Sequence, residues 1–321
     1  MSGIFRLIRW RTIVFAAFSM YVMRYFVVRS ILDINGFTLQ MTDFAFSLLV
    51  ISVCCFIAGT NIINDYFDNR ADRISGVRDV IVGRTISRRT AISLHTILNV
   101  TAVLIGFYLS FAVGIWKMGI FFVLASGLLW FYSSSYKRYF IIGNFIVAFL
   151  MALIPLSVVL FEIPLLNMVY ADLLLATDTN FMYLFNWGMG FAIFAFLNTW
   201  MYEINKDLYT VKGDRADGIH TIPVRSGEQV ARYIILSFAM IAVIFLVILC
   251  LTVFRESSLL LGYVSAGLIL PYLIYMISVM GNFKGRVFQL RLIRLISVLC
   301  VCLGFLLHYF FELIFQSDRI I

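Results

Sequence analysis

Nine continuous apolar stretches, each long enough to cross a lipid bilayer, run along this sequence of 321 residues. A helix needs about 20 apolar residues to cross the hydrocarbon core. The stretches cover residues 12–32, 42–64, 91–112, 116–134, 140–161, 181–203, 230–254, 258–280 and 293–315. Their length excludes a transmembrane β-barrel, whose strands are about ten residues of alternating polarity. The sequence therefore predicts an all-α, polytopic membrane protein with nine transmembrane helices, forming a single domain over 1–321.

The composition agrees with this prediction and excludes two classes of protein. Hydrophobic residues make up 62% of the chain and charged residues 13%, whereas a soluble domain has about 45–50% and about 25%. An ordinary soluble enzyme is excluded, and so is a nucleic-acid-binding protein, despite the net charge of +8.

The basic residues predict the orientation, because Lys and Arg concentrate in cytoplasmic loops. If the N-terminus is cytoplasmic, 18 of the 25 Lys and Arg lie in inner segments and only Lys117, Arg255 and Arg319 lie in outer ones. The inner segments are 1–11, 65–90, 135–139, 204–229 and 281–292. The chain is therefore expected in the cytoplasmic (inner) membrane, where its basic pI reflects topology rather than an anionic macromolecular partner.

Polar residues at the inner end of the second apolar stretch form one stripe. At 100° per residue of helix, Asn61, Asp65, Asp68 and Asp72 fall on the same face. An offset of 142 positions superposes this cluster on a second one, which contains Glu203, Asp207, Thr210 and Asp214. The repeated spacing predicts two similar four-helix halves plus one extra helix.

A stripe of carboxylates repels itself, because like charges at i, i+4 are destabilising. Bound Mg²⁺ relieves this repulsion, and Mg²⁺ is commonly held by one or two carboxylates together with substrate phosphates. Two such stripes facing each other predict a clamp for a diphosphate, to which Lys137 and Arg84 could add positive charge. The alternatives are that the acidic residues only cap and solvate helix ends, and that the basic residues only set topology.

These motifs resemble those of the UbiA superfamily of intramembrane prenyltransferases. The pattern N-D-x-x-D-x-x-x-D occurs intact from Asn64 to Asp72, and residues 82–87 resemble the S-G-R-x-S segment. Residues 132–137 resemble the tyrosine-to-lysine loop, and Gly143-Asn144 the G-N pair. Residues 206–224 resemble the second motif, K-D-x-x-D-x-x-G-D-R-x-x-G-x-x-T-x-P-V, except that its usual second aspartate is Thr210 here.

The resemblance implies Mg²⁺-dependent transfer of a prenyl chain from a polyprenyl diphosphate to a membrane-associated acceptor, at a mouth that faces the cytoplasm. The catalytic residues that it implies are Asp65, Asp68, Asp72, Asp207, Asp214 and Lys137, of which the five aspartates would bind Mg²⁺ through the diphosphate. The substrate-binding residues that it implies are Asn61, Asn64, Arg84, Tyr132, Asn144, Glu203, Lys206, Thr210 and Arg215. Membrane lipids are the other expected partners.

The acceptor is the least determined part of this prediction. The K-D to G-D-R run most resembles members that prenylate a glycerol-phosphate ether lipid, in geranylgeranylglyceryl phosphate chemistry. An aromatic acceptor, as in quinone biosynthesis, is the close alternative. Two further alternatives are an ion-coupled membrane transporter, whose site usually lies near the bilayer midplane, and a catalytically silent homologue, which Thr210 motivates.

Overall fold

The computed structural model describes residues 2–68, 81–136, 139–216, 218–255, 257–281 and 285–318, and the elements within these ranges are helices. In chain order they are α1 Ser2–Leu7, α2 Trp10–Ile34, α3 Asp43–Phe67, α4 Arg88–Ala112, α5 Met118–Ser134, α6 Ile142–Val169, α7 Ala171–Thr177, α8 Met182–Ala216, α9 Ile222–Ser226, α10 Glu228–Thr252, α11 Ser258–Gly281 and α12 Gly285–Asp318.

Seven of the described helices are long and apolar enough to cross a membrane: α2, α3, α4, α6, α10, α11 and α12. The bent pair of α7 and α8, whose axes differ by 102°, makes an eighth if it counts as one span. The apolar helix α5, Met118–Ser134, is 17 residues long and falls below that length. The predicted all-α, multi-pass membrane class is confirmed, although the helices that meet these criteria number seven or eight rather than nine.

Capping residues determine where the two helices around the first acidic cluster begin. The Thr42 hydroxyl accepts a hydrogen bond from the Ala45 amide at 3.2 Å, and the Ser87 hydroxyl accepts one from the Thr90 amide at 3.1 Å. Such caps satisfy amides that have no partner within the first turn of a helix. They start α3 at Asp43 and α4 at Arg88, so that the acidic residues lie at the end of α3 and in the connection that follows.

Small residues allow the helices that carry the acidic motifs to approach their neighbours closely. A Cβ placed on Gly59 of α3 would lie 2.6 Å from the Asn99 side chain of α4, and one on Gly188 of α8 would lie 2.8 Å from Val159 of α6. Both distances are too short for a real side chain. The close pairs α3–α4 and α6–α8 therefore depend on glycine, and they hold the helices that carry the two acidic motifs.

A buried ion pair joins three segments at the end of the bundle opposite the acidic motifs. Arg24 of α2 is 2% exposed and lies 3.4 Å from Glu162 of α6 and 3.1 Å from Asp43 at the start of α3. The guanidinium also donates to the Met41 carbonyl oxygen. Since α3 rises about 1.5 Å per residue, Asp43 and Asp65 are separated by about 33 Å.

Candidate active site

The first acidic motif lies next to a basic residue from the N-terminal segment. Arg9 Nη2 donates to Asp65 Oδ1 at 2.7 Å. Burial lowers the pKa of Arg9, but the negative charges of Asp65, Asp68 and Glu203 raise it more, so the net pKa lies above its usual value. Arg9 therefore interacts with both acidic motifs, since Glu203 belongs to the second.

The segment before Arg9 is held against α3 by apolar and polar contacts. Leu7 is fully buried in a cluster with Ile62 of α3 and with Val82 and Ala91. Asn61, which was predicted to bind substrate, donates from Nδ2 to the Ile8 carbonyl oxygen at 2.9 Å. This asparagine thus fixes the N-terminal segment beside the motif.

Asp207 of the second motif is buried and is held by a residue of α6. Its side chain is 7% exposed, and its Oδ2 accepts a hydrogen bond from Asn144 Nδ2 at 2.9 Å. The neighbouring Lys206 forms a salt bridge with Glu203, one turn earlier on α8. Three residues of the second motif and the asparagine of the G-N pair therefore meet at one place.

Tyr132 brings a fourth helix to this place. It lies near the end of α5, is 8% exposed, and interacts electrostatically with Lys206, Glu203, Asp68 and Asp207. These partners belong to both acidic motifs. Residues of α3, α5, α6 and α8 therefore interact at one end of the bundle, where both acidic motifs lie.

Thr210 and Asp214 continue the second stripe by two more turns of α8. The Thr210 hydroxyl lies 3.0 Å from Asp214 Oδ2 and 3.2 Å from the Lys206 carbonyl oxygen. Asp214 also interacts electrostatically with Asp207. In place of the usual aspartate, this chain thus has a hydroxyl that forms a hydrogen bond with the next carboxylate of the stripe.

The other predicted residues differ in how close they come to this cluster. Arg84 is exposed on the turn that follows Gly83, and Arg215 is exposed in the last turn of α8. No ion pair joins either of them to the motif aspartates within the ranges that the structure describes. Asp72 and Lys137 lie outside the described residues, and their roles stay predictions.

The donor atoms fit Mg²⁺ bound together with a phosphate group better than Mg²⁺ bound by protein alone. Among the described residues, no three His, Cys, Asp or Glu side chains come close enough to hold a metal ion. The oxygen donors at the site are the hard ligands that Mg²⁺ prefers. Asn64 Oδ1 is buried and has no hydrogen-bond partner among the described residues, which leaves an oxygen available beside Asp65.

Arg9 is the site residue that the sequence analysis missed, since it was counted only as a topological charge. It is separated from Asp65 by 56 positions, and no motif spacing links the two. The weak available signal is its place immediately before the first spanning helix, which begins at Trp10.

A bundle of membrane-spanning helices gathers aspartates, a lysine and an arginine at one end, which is the arrangement expected of an intramembrane prenyltransferase. The chain belongs to the UbiA prenyltransferase family, whose model matches residues 37–286. The predicted family resemblance is thereby confirmed.

Known proteins resemble this chain both in sequence and in fold. The digeranylgeranylglyceryl phosphate synthase of Methanothermobacter thermautotrophicus is 33% identical over 254 residues, which cover 78% of each chain. A solved structure described as concerning digeranylgeranylglyceryl phosphate synthase in membranes superposes with a TM-score of 0.63 at 17% identity, covering 95% of this chain and 98% of the other. A UbiA homologue from Archaeoglobus fulgidus bound to DMAPP and Mg²⁺ gives a TM-score of 0.56 at 17% identity, covering 96% of this chain and 99% of that one.

Proposed function

We propose that this protein transfers a prenyl chain from a polyprenyl diphosphate to the free hydroxyl of a glycerol-phosphate ether lipid, of the geranylgeranylglyceryl phosphate type. The main support for this proposal is the 33% identity over 254 residues to a digeranylgeranylglyceryl phosphate synthase. The convergence of both acidic motifs at one end of the bundle supports a diphosphate as donor, because these residues have the chemistry that binds one.

Mg²⁺ is proposed as the cofactor, held by Asp65, Asp68 and Asp207 through the diphosphate, with Asp72 and Asp214 completing the set. The homologue from A. fulgidus, which was solved with DMAPP and Mg²⁺, supports this assignment. When bound, the metal neutralises the charge that develops on the leaving diphosphate.

The chain's own residues prepare the site in three ways. Asn144 orients the buried carboxylate of Asp207 through its 2.9 Å hydrogen bond. Lys206 supplies positive charge beside the motif carboxylates, and Lys137 and Arg84 are proposed to add to it; such charge stabilises the negative charge that the diphosphate gains as the C–O bond breaks. Tyr132 contributes a buried aromatic ring, whose face can stabilise the allylic cation.

We also propose that the chain crosses the membrane nine times and that the site opens toward the cytoplasm. Each of the nine apolar stretches falls on a described helix, with α5 and α8 completing the set. The location of 18 of the 25 Lys and Arg in the inner segments supports this orientation.

The proposed function is tested by incubating membranes that contain the protein with labelled geranylgeranyl diphosphate and geranylgeranylglyceryl phosphate, followed by product mass spectrometry. A parallel reaction offers 4-hydroxybenzoate as an aromatic acceptor. We expect a labelled diether phosphate. A prenylated aromatic product alone would favour the quinone alternative, and no product with either acceptor would favour the silent homologue.

Replacing Thr210 with aspartate is expected to preserve or raise transfer and to lower the Mg²⁺ concentration needed for half-maximal rate by roughly a few fold. The new carboxylate lies one turn from Asp214, and the two repel each other unless a cation binds between them. Transfer rates measured across a Mg²⁺ titration check this, with Thr210→Asn as the neutral control of similar size. A sharp loss of activity in Thr210→Asp would instead indicate that the hydroxyl contacts the acceptor.

A further inference from the structure

Arg294 lies in an apolar helix and stacks on a tyrosine that adjoins the candidate active site. Its guanidinium carbon is 4.9 Å from the centroid of the Tyr202 ring, and the guanidinium donates to the Tyr202 hydroxyl. The residue is exposed, and within the described part of the chain no carboxylate forms an ion pair with it. Tyr202 directly precedes Glu203, which pairs with Lys206 in the site.

The position of Arg294 along its helix argues for more than a topological charge. It follows Gly285, the first residue of α12, by nine positions, which is about 14 Å along the axis. Its neighbours Leu295 and Val298 are exposed apolar residues of a spanning helix. A charged side chain among such residues is costly and usually functional.

A narrow apolar cavity begins one helical turn below the Arg294–Tyr202 pair. Its lining includes Asn198 of α8, four residues before Tyr202, and Ser297 of α12, three residues after Arg294. Phe15 of α2 and Ile154 of α6 close its other sides. The cavity holds about 60 Å³, so it has room for only a short part of a hydrocarbon chain.

Near Val22, which itself lines the cavity, α2 and α12 are in direct contact. A Cβ placed on Gly304 would lie 2.5 Å from Val22 Cγ1. Gly304 lies about 15 Å along α12 from Arg294, and the cavity lies against the part of α12 between them. A ligand bound there would therefore have a charged surface at one end and an apolar surface along its length.

We propose that Arg294, positioned by Tyr202, binds the phosphate of the acceptor lipid, while the acceptor's isoprenoid chain enters the cavity between α2, α6, α8 and α12. The inference rests on the proposed function and assigns the part of the site that recognises the acceptor. A planar guanidinium matches the oxygens of a phosphate with two parallel hydrogen bonds, and the tyrosine ring fixes its plane. The acceptor's free hydroxyl then lies toward Glu203 and the diphosphate.

The decisive experiment uses the full-length protein in detergent micelles at saturating geranylgeranyl diphosphate, with geranylgeranylglyceryl phosphate varied. In Arg294→Gln we expect the KM for this acceptor to rise about tenfold or more, as loss of a hydrogen bond to a charged group implies. The KM for the donor should change by less than about twofold. Arg294→Lys, which keeps the charge but not the planar fork, should give an intermediate KM. Arg291→Gln on the same exposed surface of α12 is the matched control and should leave both values unchanged.

An acceptor without a phosphate shows whether the effect of Arg294→Gln depends on the phosphate group. With geranylgeranylglycerol, which has the same chain and hydroxyl but no phosphate, the wild type and Arg294→Gln should have nearly equal kcat/KM. Equal losses on both acceptors, or equal losses in Arg291→Gln and Arg294→Gln, would overturn the proposal, since they indicate a structural effect or a general attraction to anionic lipid.

A measurement of acceptor binding in the absence of donor tests this inference independently of the proposed function. Isothermal titration of geranylgeranylglyceryl phosphate into the protein, without donor, should show weaker binding to Arg294→Gln than to wild type. If the wild type forms no diether product, the proposed function fails, whereas the titration still decides whether Arg294 binds a lipid phosphate. Equal affinity of the two proteins would refute the site, and inorganic phosphate competing as well as the lipid would refute the role of the cavity.

Discussion

Replacing Asp207 with asparagine is expected to lower kcat/KM for prenyl transfer by about 10²- to 10³-fold, similar to the loss of one preorganised electrostatic group in other enzymes. The variant should be at least as stable as the wild type. Asp207 is 7% exposed, and among the described residues its carboxylate accepts a side-chain hydrogen bond from Asn144. A buried carboxylate costs free energy unless it is well paired, so a neutral group of the same shape removes this cost together with the function.

Steady-state kinetics and thermal unfolding in the same detergent check both parts of this prediction. Asp178→Asn, in the loop that follows α7, is the matched control because its carboxylate is exposed and belongs to neither motif. A variant at position 207 that keeps its activity would remove Asp207 from the proposed site. A variant that loses activity only because it unfolds would be recognised from its melting curve.

Removing divalent cations with EDTA is expected to abolish transfer, with full recovery on addition of Mg²⁺. The described carboxylates lie beside one another without a group of three that could hold a metal alone, so the ion should be bound together with the diphosphate and be readily removed. Asp68→Ala is expected to lower the rate by more than about 10²-fold, because Asp68 directly follows α3 and its charge acts on both Arg9 and Tyr132.

The readout for this second prediction is formation of labelled product in membranes, and direct titration of Mg²⁺ in the presence of a prenyl diphosphate gives a measurement independent of turnover. Asp172→Ala, in the first turn of α7, is the control for loss of an acidic residue elsewhere. Undiminished transfer in EDTA, or in Asp68→Ala, would contradict the metal-binding role of the aspartates.

The helices were predictable because apolar length is a strong signal, and their ends were not, because polarity does not terminate a helix. The sixth apolar stretch was placed at 181–203, whereas α8 extends through Met182–Ala216 and carries Asp207, Thr210 and Asp214 on its polar extension. Likewise α12 begins at Gly285, eight residues before the predicted span, because arginine is a good helix former.

The residues of the site were predictable, but most of their contacts were not. Helical spacing shows which side chains share a face of one helix, so the stripe from Asn61 to Asp68 could be derived from the sequence. It does not show which helices face each other, so the bond from Asn144 to Asp207 required the structure. The Arg9–Asp65 pair could not be predicted from the sequence for the same reason, since it depends on how the N-terminal segment packs against α3 through Leu7.

The buried pair of Arg24 and Glu162 makes the helices harder to separate at its own end of the bundle than at the end that carries the acidic motifs. Separating them would leave a charge uncompensated in an apolar interior, which is strongly unfavourable, and Asp43 and the Met41 carbonyl oxygen join the same linkage. The far ends of α2, α3 and α6 are therefore expected to move as one rigid block. Any separation of these helices that accompanies the exchange of lipid substrates and product is therefore expected at the opposite ends, which carry the acidic motifs.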